Sequence, residues 1–466
     1  MAVRNEISFV HLGNTYIPHA LSSHKSQGFL RVLELLHRSD VAVANLECTI
    51  HDGNDWPAFG GGMGWAGSYM PMPPSMIDEL KHVGINAVYC ANNHTADFGE
   101  GGILTAVKYL KQKDMAYSGI GPSLTEASAP CYIETPGGTV AIISVADWGP
   151  RLLMELPFPW PAGYMPSDEL PPFRSRPGVN LIRYDVVVHV DRAAVDQLRR
   201  ISGMLHWERG KVGRRTGGVR TETLVGPSLL GYEQDTDNEF FFMGRKFVLD
   251  DDFRLTTFAF QEDLDRIYKH VREARHNADV VIVGMHDQSH ADGVADFVRT
   301  LAHGVIDAGA DLYINHGGRT RGIEVYNGKA IAYGQGAGLA FSTDVTRLPS
   351  SMLQRYGLPA DASAFELLDL RAKGRRETYE QGGFLPPGSP GDEAPERTIL
   401  EAVFADGALN EIRLYPSGRT PDSRLPGLFE AESEASDRAL QRSAELSAPY
   451  GTNVEIQNGV GVIRVT

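Results

Sequence analysis

The chain has 466 residues, an apolar share of 42% and a formal net charge of −15 at pH 7. A chain of this length can bury a large core, or form a domain of about 250–300 residues with additions. The negative charge argues against a nucleic-acid partner, because phosphate backbones require a positive surface.

The amino-terminal sequence, MAVRNEISFVHLGN, has no basic segment followed by a long apolar run, so we expect no signal peptide. No stretch approaches the length of a membrane span, so we expect no membrane partner. The three cysteines, Cys48, Cys90 and Cys131, cannot all pair, and none has CxxC spacing. Together these features predict a cytoplasmic protein in a reducing environment.

Short apolar runs rich in Val, Ile and Ala recur along the chain with little alternation, which is typical of strands covered on both faces. They lie at 7–12, 41–46, 86–91, 139–146, 279–285, 311–316 and 329–334. Between them, 26–39 and 262–278 have apolar residues at three-to-four spacing, which predicts helices. Strands that alternate with helices predict an α/β layered fold.

Three regions depart from this pattern. Residues 57–76 are crowded with Gly, Met and aromatic residues and predict a loop, either one that closes over a partly apolar ligand or an ordinary surface loop. Residues 148–180 are rich in Pro and aromatic residues. Residues 205–250 are rich in Gly and in charged residues, and we interpret them as an insertion.

The sequence FLPPGSPGDEAPER, at 384–397, predicts a linker. It would separate a main domain, residues 1–383, from a carboxyl-terminal extension, residues 398–466, that packs on the main domain. The extension opens with a predicted hairpin around Asp406-Gly407. A helix and a final short hairpin are predicted to follow.

Polar residues follow five of the predicted strands, at the edge where open α/β sheets place their sites. In chain order they are Asn14, Glu47, Cys48, Asn92, Asn93, His94, Asp97, His286, Asp287, His290, His316 and Arg319. A functional site explains five converging strand ends better than unrelated polar positions do.

Several segments, in order and spacing, resemble the CapA family of poly-γ-glutamate capsule proteins. They include HLGNTY, DVAVANLE, NNHTADFGEGGI and GADLYINHGGRTRGIEVYNGKAIAYGQG, and the specific motifs within them are NLE and NNHxxDxGxxG. The resemblance covers nearly the whole chain. It implies the calcineurin-like metallophosphatase fold, a four-layer αββα sandwich in which two sheets pack together between helices.

The chain departs from the family pattern where the resemblance implies metal ligands. Asn14 stands where the family has Asp, and Gly317, Gly318 and Arg319 stand where it has the HPH motif. Glycine has no side chain to coordinate with, and a guanidinium cannot lose its proton and would repel a cation. We therefore expect no metal and no cofactor.

An acid–base set without an evident dication remains. We assign catalysis to His94, His286, Glu47, Cys48 and Asp287, and substrate binding to Arg319, Asn14, Asn93, His316 and His290. Alternatives stay open: Cys48 as a small buried hydrophobe, Asn93 as a turn residue, and Arg319 as the partner of an acid such as Glu47. The spacing of His286 and His290 also fits zinc, but no third ligand is evident.

Our first hypothesis, which rests partly on a resemblance, is a metal- and cofactor-independent peptide epimerase, an enzyme that needs two acid–base groups and a group that stabilises an enolate. The chain resembles the lasso-peptide epimerases of this family, which implies conversion of a carboxyl-terminal L-Trp of a ribosomal precursor peptide to D-Trp. One alternative is a metal-dependent phosphoesterase or amide hydrolase. Another is a non-catalytic protein that binds a polymer or peptide.

Overall fold

The structure is a computed structural model, and the described residues cover most of the chain. They are 6–58, 69–148, 175–206, 235–289 except 244, 293–317, 320–339 except 337, parts of 353–373, 397–419 and 426–465. The predicted linker lies outside this set except for its last residue, Arg397. Most of the 148–180 region also lies outside it.

The described chain is mixed α/β. Its strands are β1 (Glu6–Thr15), β2 (Val41–Leu46), β3 (Thr49–Ile50), β4 (Pro71–Met72), β5 (Ala87–Tyr89), β6 (Ala116–Ser118), β7 (Ile120–Gly121), β8 (Cys131–Thr135), β9 (Gly138–Trp148), β10 (Gly178–Val179), β11 (Leu181–Val190), β12 (Glu239–Phe242), β13 (Arg245–Leu249), β14 (Arg254–Ala259), β15 (Val280–His286), β16 (Leu312–His316), β17 (Gly322–Tyr326), β18 (Lys329–Tyr333), β19 (Arg397–Ala405), β20 (Ala408–Arg419), β21 (Pro426–Leu428), β22 (Glu455–Gln457) and β23 (Val460–Arg464). Its α-helices are α1 (Gln27–Arg38), α2 (Met76–His82), α3 (Gly99–Gln112), α4 (Leu124–Ser128), α5 (Arg192–Met204), α6 (Gln261–Asn277), α7 (Asp296–Asp307) and α8 (Glu434–Ser447).

Two large sheets organise these strands. The first has the order β22-β23-β20-β19-β1-β2-β5-β6, and the second has the order β12-β13-β11-β9-β15-β16-β18-β17. In the first sheet β1, β2, β5 and β6 run parallel, and in the second β9, β15, β16 and β18 run parallel. Parallel strands end at a common edge, so each sheet gathers its strand ends in one place.

The two sheets pack against each other through buried side chains. Phe9 and Val43 of the first sheet share one apolar cluster with Val140, Ile282 and Ile314 of the second. Each fully buried side chain of this size contributes about 1.5–3 kcal/mol. This cluster fixes the position of one sheet on the other.

Helices cover the outer faces of both sheets. The apolar stripe of α1, including Phe29 and Val32, joins the cluster on the first sheet. The helix α6 buries Ile267 and Val271 against the second sheet. It begins with acidic residues and ends with basic ones, as the helix dipole favours. This α/β sandwich confirms the predicted class, and the metallophosphatase layering stays a prediction.

The predicted strands and helices match the observed ones closely. The segment predicted at 41–46 is β2 without change, and the segments at 26–39 and 262–278 are α1 and α6. The predicted end of the first strand is wrong, because Asn14 lies inside β1 and not after it. The strand continues through an irregularity between His11 and Asn14, where Gly13 adopts a φ of 96° that other residues rarely adopt.

The carboxyl-terminal residues join the first sheet directly. The strand β19 pairs antiparallel with β1, with Phe9 opposite Ala402. The predicted hairpin is confirmed, since β19 and β20 meet at Asp406 and Gly407, both with positive φ. The predicted division at 384–397 stays a prediction. Within the described residues, no helix combines the length and the apolar character that crossing a membrane requires.

We predict that Gly284→Ala destabilises the protein. A Cβ at Gly284 in β15 would lie 2.5 Å from Cε1 of Tyr89 in β5, so it would press the two sheets apart. Overpacking of this kind costs about 1–3 kcal/mol, which urea unfolding can measure. Gly203→Ala in α5 is the control, because nothing lies within 4 Å of its added Cβ. Equal stability of wild type and Gly284→Ala would contradict the close approach of the sheets.

Candidate functional site

The strand ends of the two sheets meet at one polar cluster. Asn45, near the end of β2, has its Nδ2 atom 3.2 Å from Nδ1 of His286, the last residue of β15. Asn93, just after β5, has its Oδ1 atom 2.8 Å from Nε2 of the same histidine. All three residues are buried. The cluster is therefore built by contacts between the first and second sheets.

Asn92 determines the hydrogen-bond directions in this cluster. Its Nδ2 donates to the carbonyl oxygen of Leu46 at 2.8 Å, and its Oδ1 accepts from the backbone N–H of His94 at 3.0 Å. A backbone carbonyl can only accept and a backbone N–H can only donate. The side-chain amide of Asn92 can therefore face only one way.

The fixed orientation of the Asn92 amide also fixes the orientation of the Asn45 amide and the position of the proton on His286. Nδ2 of Asn92 donates to Oδ1 of Asn45 at 3.2 Å. The Nδ2 group of Asn45 therefore faces Nδ1 of His286, and it also donates to Oδ1 of Asn14 at 2.9 Å. Because Nδ1 of His286 faces a donor, it accepts, and the proton of the neutral ring resides on Nε2.

Glu47 lies beside the protonated nitrogen of His286. Its Oε1 is 3.7 Å from Nε2, and its side chain is 16% exposed. Burial raises the pKa of Glu47, and the charges of His94 and Arg397 oppose this effect only in part. Glu47 is thus a carboxyl group that can exchange a proton closer to neutrality than an exposed glutamate.

His94 and Asp97 form a buried pair in the loop after β5. Nδ1 of His94 donates to Oδ2 of Asp97 at 2.9 Å, which leaves the Nε2 lone pair of the neutral ring for proton transfer. Burial lowers the pKa of His94, but the charge and hydrogen bond of Asp97 and the charge of Glu47 outweigh it, so the pKa is raised. The arrangement is that of a base oriented by a carboxylate.

Asp97 also holds both stems of the Gly- and Met-rich loop. Its Oδ2 accepts from the backbone N–H of Met70 at 2.7 Å, and its backbone carbonyl accepts from the N–H of Ala58 at 2.7 Å. The Tyr69 hydroxyl donates to the carbonyl of Ala58. Residues 59–68 themselves lie outside the described part of the chain.

Asp287 is buried in a network next to His286. Its carboxylate accepts from Nδ2 of Asn315 at 3.1 Å and pairs with Nη1 of Arg321 at 3.5 Å. Asp147, at the end of β9, lies close to it. Burial and the charge of Asp287 raise the pKa of Asp147 well above its usual range. Asp287 therefore holds the segment that follows β15.

His316 lies beneath the site and not at its mouth. Its ring centroid is 5.5 Å from that of His286, 5.4 Å from that of His11 and 5.2 Å from that of Tyr89. Burial and the charges of the two histidines lower the pKa of His316 well below its usual value. A neutral buried ring supports His286, and we no longer assign His316 to direct substrate contact.

Gly317, the first of the three residues that stand in place of the HPH motif, makes room for His286. Its φ is 96°, and an added Cβ would lie 2.7 Å from Cε1 of that ring. Cys48 packs in an apolar cluster, with its thiol 3.8 Å from the sulfur of Met72, and burial raises its pKa well above the usual value. The structure favours the buried-hydrophobe interpretation of Cys48. Arg319 and His290 lie outside the described residues.

Sequence reasoning missed three residues of the site. Gln288 contacts His286, and Arg321 contacts Asp287. The positive charge of Arg397 lowers the pKa of Glu47. Asp97 was noted without a role. Arg397 gave no local signal, because only the pairing of β19 with β1 brings it to this edge.

The described residues do not fit a dication. Among them, no three His, Cys, Asp or Glu side chains are arranged to hold a metal ion. The Nε2 atom of His286 carries a proton, and its Nδ1 lone pair faces Asn45, so this histidine offers no free lone pair to a metal. Asn14 contributes a neutral amide.

Comparison with known proteins places this site in a family. The sequence profile of the family described as bacterial capsule synthesis protein PGA_cap matches residues 10–164 and 203–339. The chain belongs to this family. The matched ranges contain the predicted site residues, from Asn14 to Arg319, whereas Arg397 and the carboxyl-terminal strands lie outside them.

Three relatives illustrate its range. Two proteins of Sinorhizobium fredii (strain NBRC 101917 / NGR234), named uncharacterized protein y4uA and uncharacterized protein y4sH, are each 29% identical over 480 residues. Those alignments cover 98% of this chain and 93% of each relative. The PGA biosynthesis protein CapA of Bacillus subtilis (strain 168) is 38% identical over 90 residues, which cover 19% of this chain and 23% of the relative.

We predict that the proton of neutral His286 resides on Nε2, and that Asn45→Asp moves it. A carboxylate at position 45 would attract a proton to Nδ1, because it accepts where the amide donates. Long-range ¹H–¹⁵N NMR correlations of the histidine rings distinguish the two forms. His51 is an internal control, because the backbone N–H of Gly53 donates to its Nδ1. A wild-type His286 protonated on Nδ1 would refute the assignment.

We predict that Asp97→Asn lowers the pKa of His94 while keeping the local structure. Both His94 and Met70 donate to the same oxygen, so an amide oxygen there retains both bonds and loses only the charge. NMR titration of His94 should show the lower midpoint.

The same variant tests the link between pKa and stability. A histidine whose pKa is raised by folding, above about 6.5, stabilises the protein at low pH and loses that contribution as pH rises through the folded value. Wild type should therefore lose stability relative to Asp97→Asn over this window, which urea unfolding at several pH values can measure. A parallel pH dependence of the two proteins would contradict the pairing.

Proposed function

We propose that the protein is a peptide epimerase that needs neither metal nor cofactor. The observation that carries the proposal is the combination of two proton-exchanging groups, His94 and Glu47, with the Nε2–H donor of His286 at one buried edge. His94 and Glu47 also interact through their charges, as groups that share a small site do. Family membership suggests an enzyme, and these residues suggest its chemistry.

The proposed reaction inverts one α-carbon. The Nε2 lone pair of His94 removes the α-proton, and the C–H electron pair moves into the adjacent carbonyl to form an enolate. Glu47, whose pKa is raised by burial, delivers a proton in its protonated form to the opposite face of the carbon. The product is the other stereoisomer, and proton exchange with solvent resets both groups.

His286 stabilises the enolate in this proposal. In the free protein its Nε2–H donates to Oδ1 of Asn93 at 2.8 Å, and we assign this donor to the substrate carbonyl oxygen that gains negative charge, in a site largely shielded from water. The amide chain through Asn45 keeps that hydrogen on Nε2. His286 therefore acts as a donor and not as a base.

The proposed substrate is a ribosomal precursor peptide whose carboxyl-terminal Trp changes from L to D. This part rests on the resemblance of the chain to lasso-peptide epimerases. We assign Arg319 to the peptide carboxylate, because a guanidinium binds a carboxylate in a two-pronged manner. The four-layer metallophosphatase-like arrangement and a cytoplasmic location belong to the same proposal.

An amide or phosphoester hydrolase is the second candidate. The His94–Asp97 pair favours it, because a base oriented by a carboxylate can activate water. Membership of the capsule synthesis family is also compatible with a hydrolase.

Incubation of the protein with the peptide in D₂O distinguishes the two candidates. An epimerase incorporates one solvent deuterium at the α-carbon of the inverted residue, because the returned proton comes from solvent. Mass spectrometry and chiral amino-acid analysis measure both changes. Cleavage of the peptide without deuterium at an α-carbon would reject the epimerase and support the hydrolase.

We predict that His94→Asn and Glu47→Gln each lower kcat by about 10²–10⁴-fold. Each variant keeps one acid–base group, so it should exchange the α-hydrogen of one stereoisomer only, with opposite preference in the two variants. The exposed controls are His82→Asn and Glu34→Gln, which should match wild type. If both variants exchanged the hydrogens of both stereoisomers at wild-type rates, the assignment of the two bases would be wrong.

A further inference from the structure

A second set of reactive side chains lies on and next to strands β11 and β14, outside the cluster that contains His286. Nε2 of His189, in β11, is 2.8 Å from Oγ1 of Thr256 in β14. Nδ1 of the same ring is 3.0 Å from Oδ2 of Asp250, which precedes β14. A hydroxyl, an imidazole and a carboxylate in hydrogen-bond contact, in this order, are the parts of an activated nucleophile.

The ionisation of Asp250 decides the direction of both hydrogen bonds. The backbone N–H of Asp252 and the guanidinium of Arg254, whose Nη2 is 2.6 Å from Oδ2, hold the pKa of Asp250 below its usual value. An ionised carboxylate only accepts, so Nδ1 of neutral His189 donates to it. Nε2 then carries the lone pair, and the hydroxyl of Thr256 donates to that lone pair. The hydroxyl proton already points at a base.

The alternation of side chains along β14 builds an open face around this hydroxyl. Arg254, Thr256 and Phe258 lie on the same side of the strand, and Arg254 is paired with His189 of β11. The ring of Phe258 is 41% exposed, whereas the side chain of His189 is 12% exposed. The base is therefore shielded from water, and the face beside the hydroxyl is accessible to a ligand.

We propose that Thr256, His189 and Asp250 form a second active centre, which hydrolyses carboxylic esters through an acyl-threonine. Oγ1 of Thr256 attacks the ester carbonyl carbon, its proton moves to Nε2 of His189, and the carbonyl π electrons move to the oxygen. When the carbonyl re-forms, the bond to the alcohol oxygen breaks and His189 protonates that oxygen. Water then attacks the acyl-threonine with the same base, which releases the acid and restores the hydroxyl.

The surroundings of Thr256 define the ester. Arg254 and Asp250 neutralise each other, so the face favours an uncharged substrate, and the remaining N–H groups of the guanidinium are donors for the carbonyl oxygen. Phe258 offers an apolar contact to a small acyl group. His189 lies outside both ranges that match the family profile, and the centre shares no residue with the proposed epimerase site.

Acetylation by p-nitrophenyl acetate tests the inference on the full chain. The reaction is quenched with acid at early times, and the acetylated residues are mapped by proteolysis and tandem mass spectrometry. We expect an acetyl group on Thr256, together with an initial burst of p-nitrophenolate. Thr257 is an internal control, because its Oγ1 accepts from the backbone N–H of Phe297 at 3.2 Å and should stay unmodified. Acetyl groups on other residues, with none on Thr256, would overturn the inference.

Variants separate the nucleophile from its base. His189→Asn should slow acetylation of Thr256 by about 10²–10⁴-fold, because the hydroxyl loses its proton acceptor. Thr256→Ser should retain acetylation at this position, and Thr256→Val should abolish it. An equal rate of acetylation in His189→Asn and wild type would show that the hydroxyl is not activated, and the inference would fail.

Asp250 is a positioning residue, and the pH profile of acetylation reports on it. Only neutral His189 accepts the hydroxyl proton, so the rate should fall as pH is lowered. In Asp250→Asn the protonated ring loses a stabilising charge, so the half-maximal rate should move to lower pH. Asp251→Asn, at an exposed neighbour, is the matched control and should leave the profile in place. An unmoved profile in Asp250→Asn would overturn the assignment of the three residues to one centre.

Discussion

The site depends on the orientation of one buried amide, that of Asn92. Two backbone groups, the carbonyl of Leu46 and the N–H of His94, leave this amide a single orientation. This orientation determines that of Asn45, and Asn45 in turn determines which ring nitrogen of His286 donates a hydrogen bond. A buried hydrogen-bonded chain of this kind is costly to break, because every member would lose its partner in a water-free place. The chemistry of the histidine is thus set from within the protein and not by solvent.

Close backbone approach is the second condition for the site. Gly317 leaves space for the ring of His286, and Gly13 and Gly336 approach each other so closely that an added Cβ at Gly13 would lie 2.7 Å from the backbone of Gly336. Backbone segments therefore approach closely at this edge, where polar side chains replace apolar ones. In place of the HPH motif, the chain has a glycine that packs against a neutral, hydrogen-bonded histidine.

Much of the fold could be predicted from local sequence. Runs such as 41–46 and 279–285 are apolar on both faces, and helices such as 262–278 carry a clear stripe and charged ends, so pattern alone located them. The convergence of Glu47, Asn93, His94 and His286 followed from the rule that parallel strands end together.

The rest depended on contacts that no local pattern records. The orientation of the Asn92–Asn45–His286 chain depends on the backbone carbonyl of Leu46, which is distant in sequence, as well as on the nearby N–H of His94. His316 looked like a site residue because it ends a strand, but its ring turns into the space between the sheets. Arg397 reaches the edge only through long-range strand pairing. The periodicity of apolar residues predicts neither the direction of a side chain at a strand end nor the pairing of strands hundreds of residues apart.

That pairing has a consequence for how the chain is made. On one side β1 pairs with β2, which lies within the next fifty residues. On the other side it pairs with β19, in which Ala405 lies opposite Glu6. During synthesis its second edge therefore stays without a native partner until most of the chain has emerged. Such distant pairing slows folding, and an unpaired edge is open to other strands in the meantime. The first strand of the site is thus among the last to become fully enclosed.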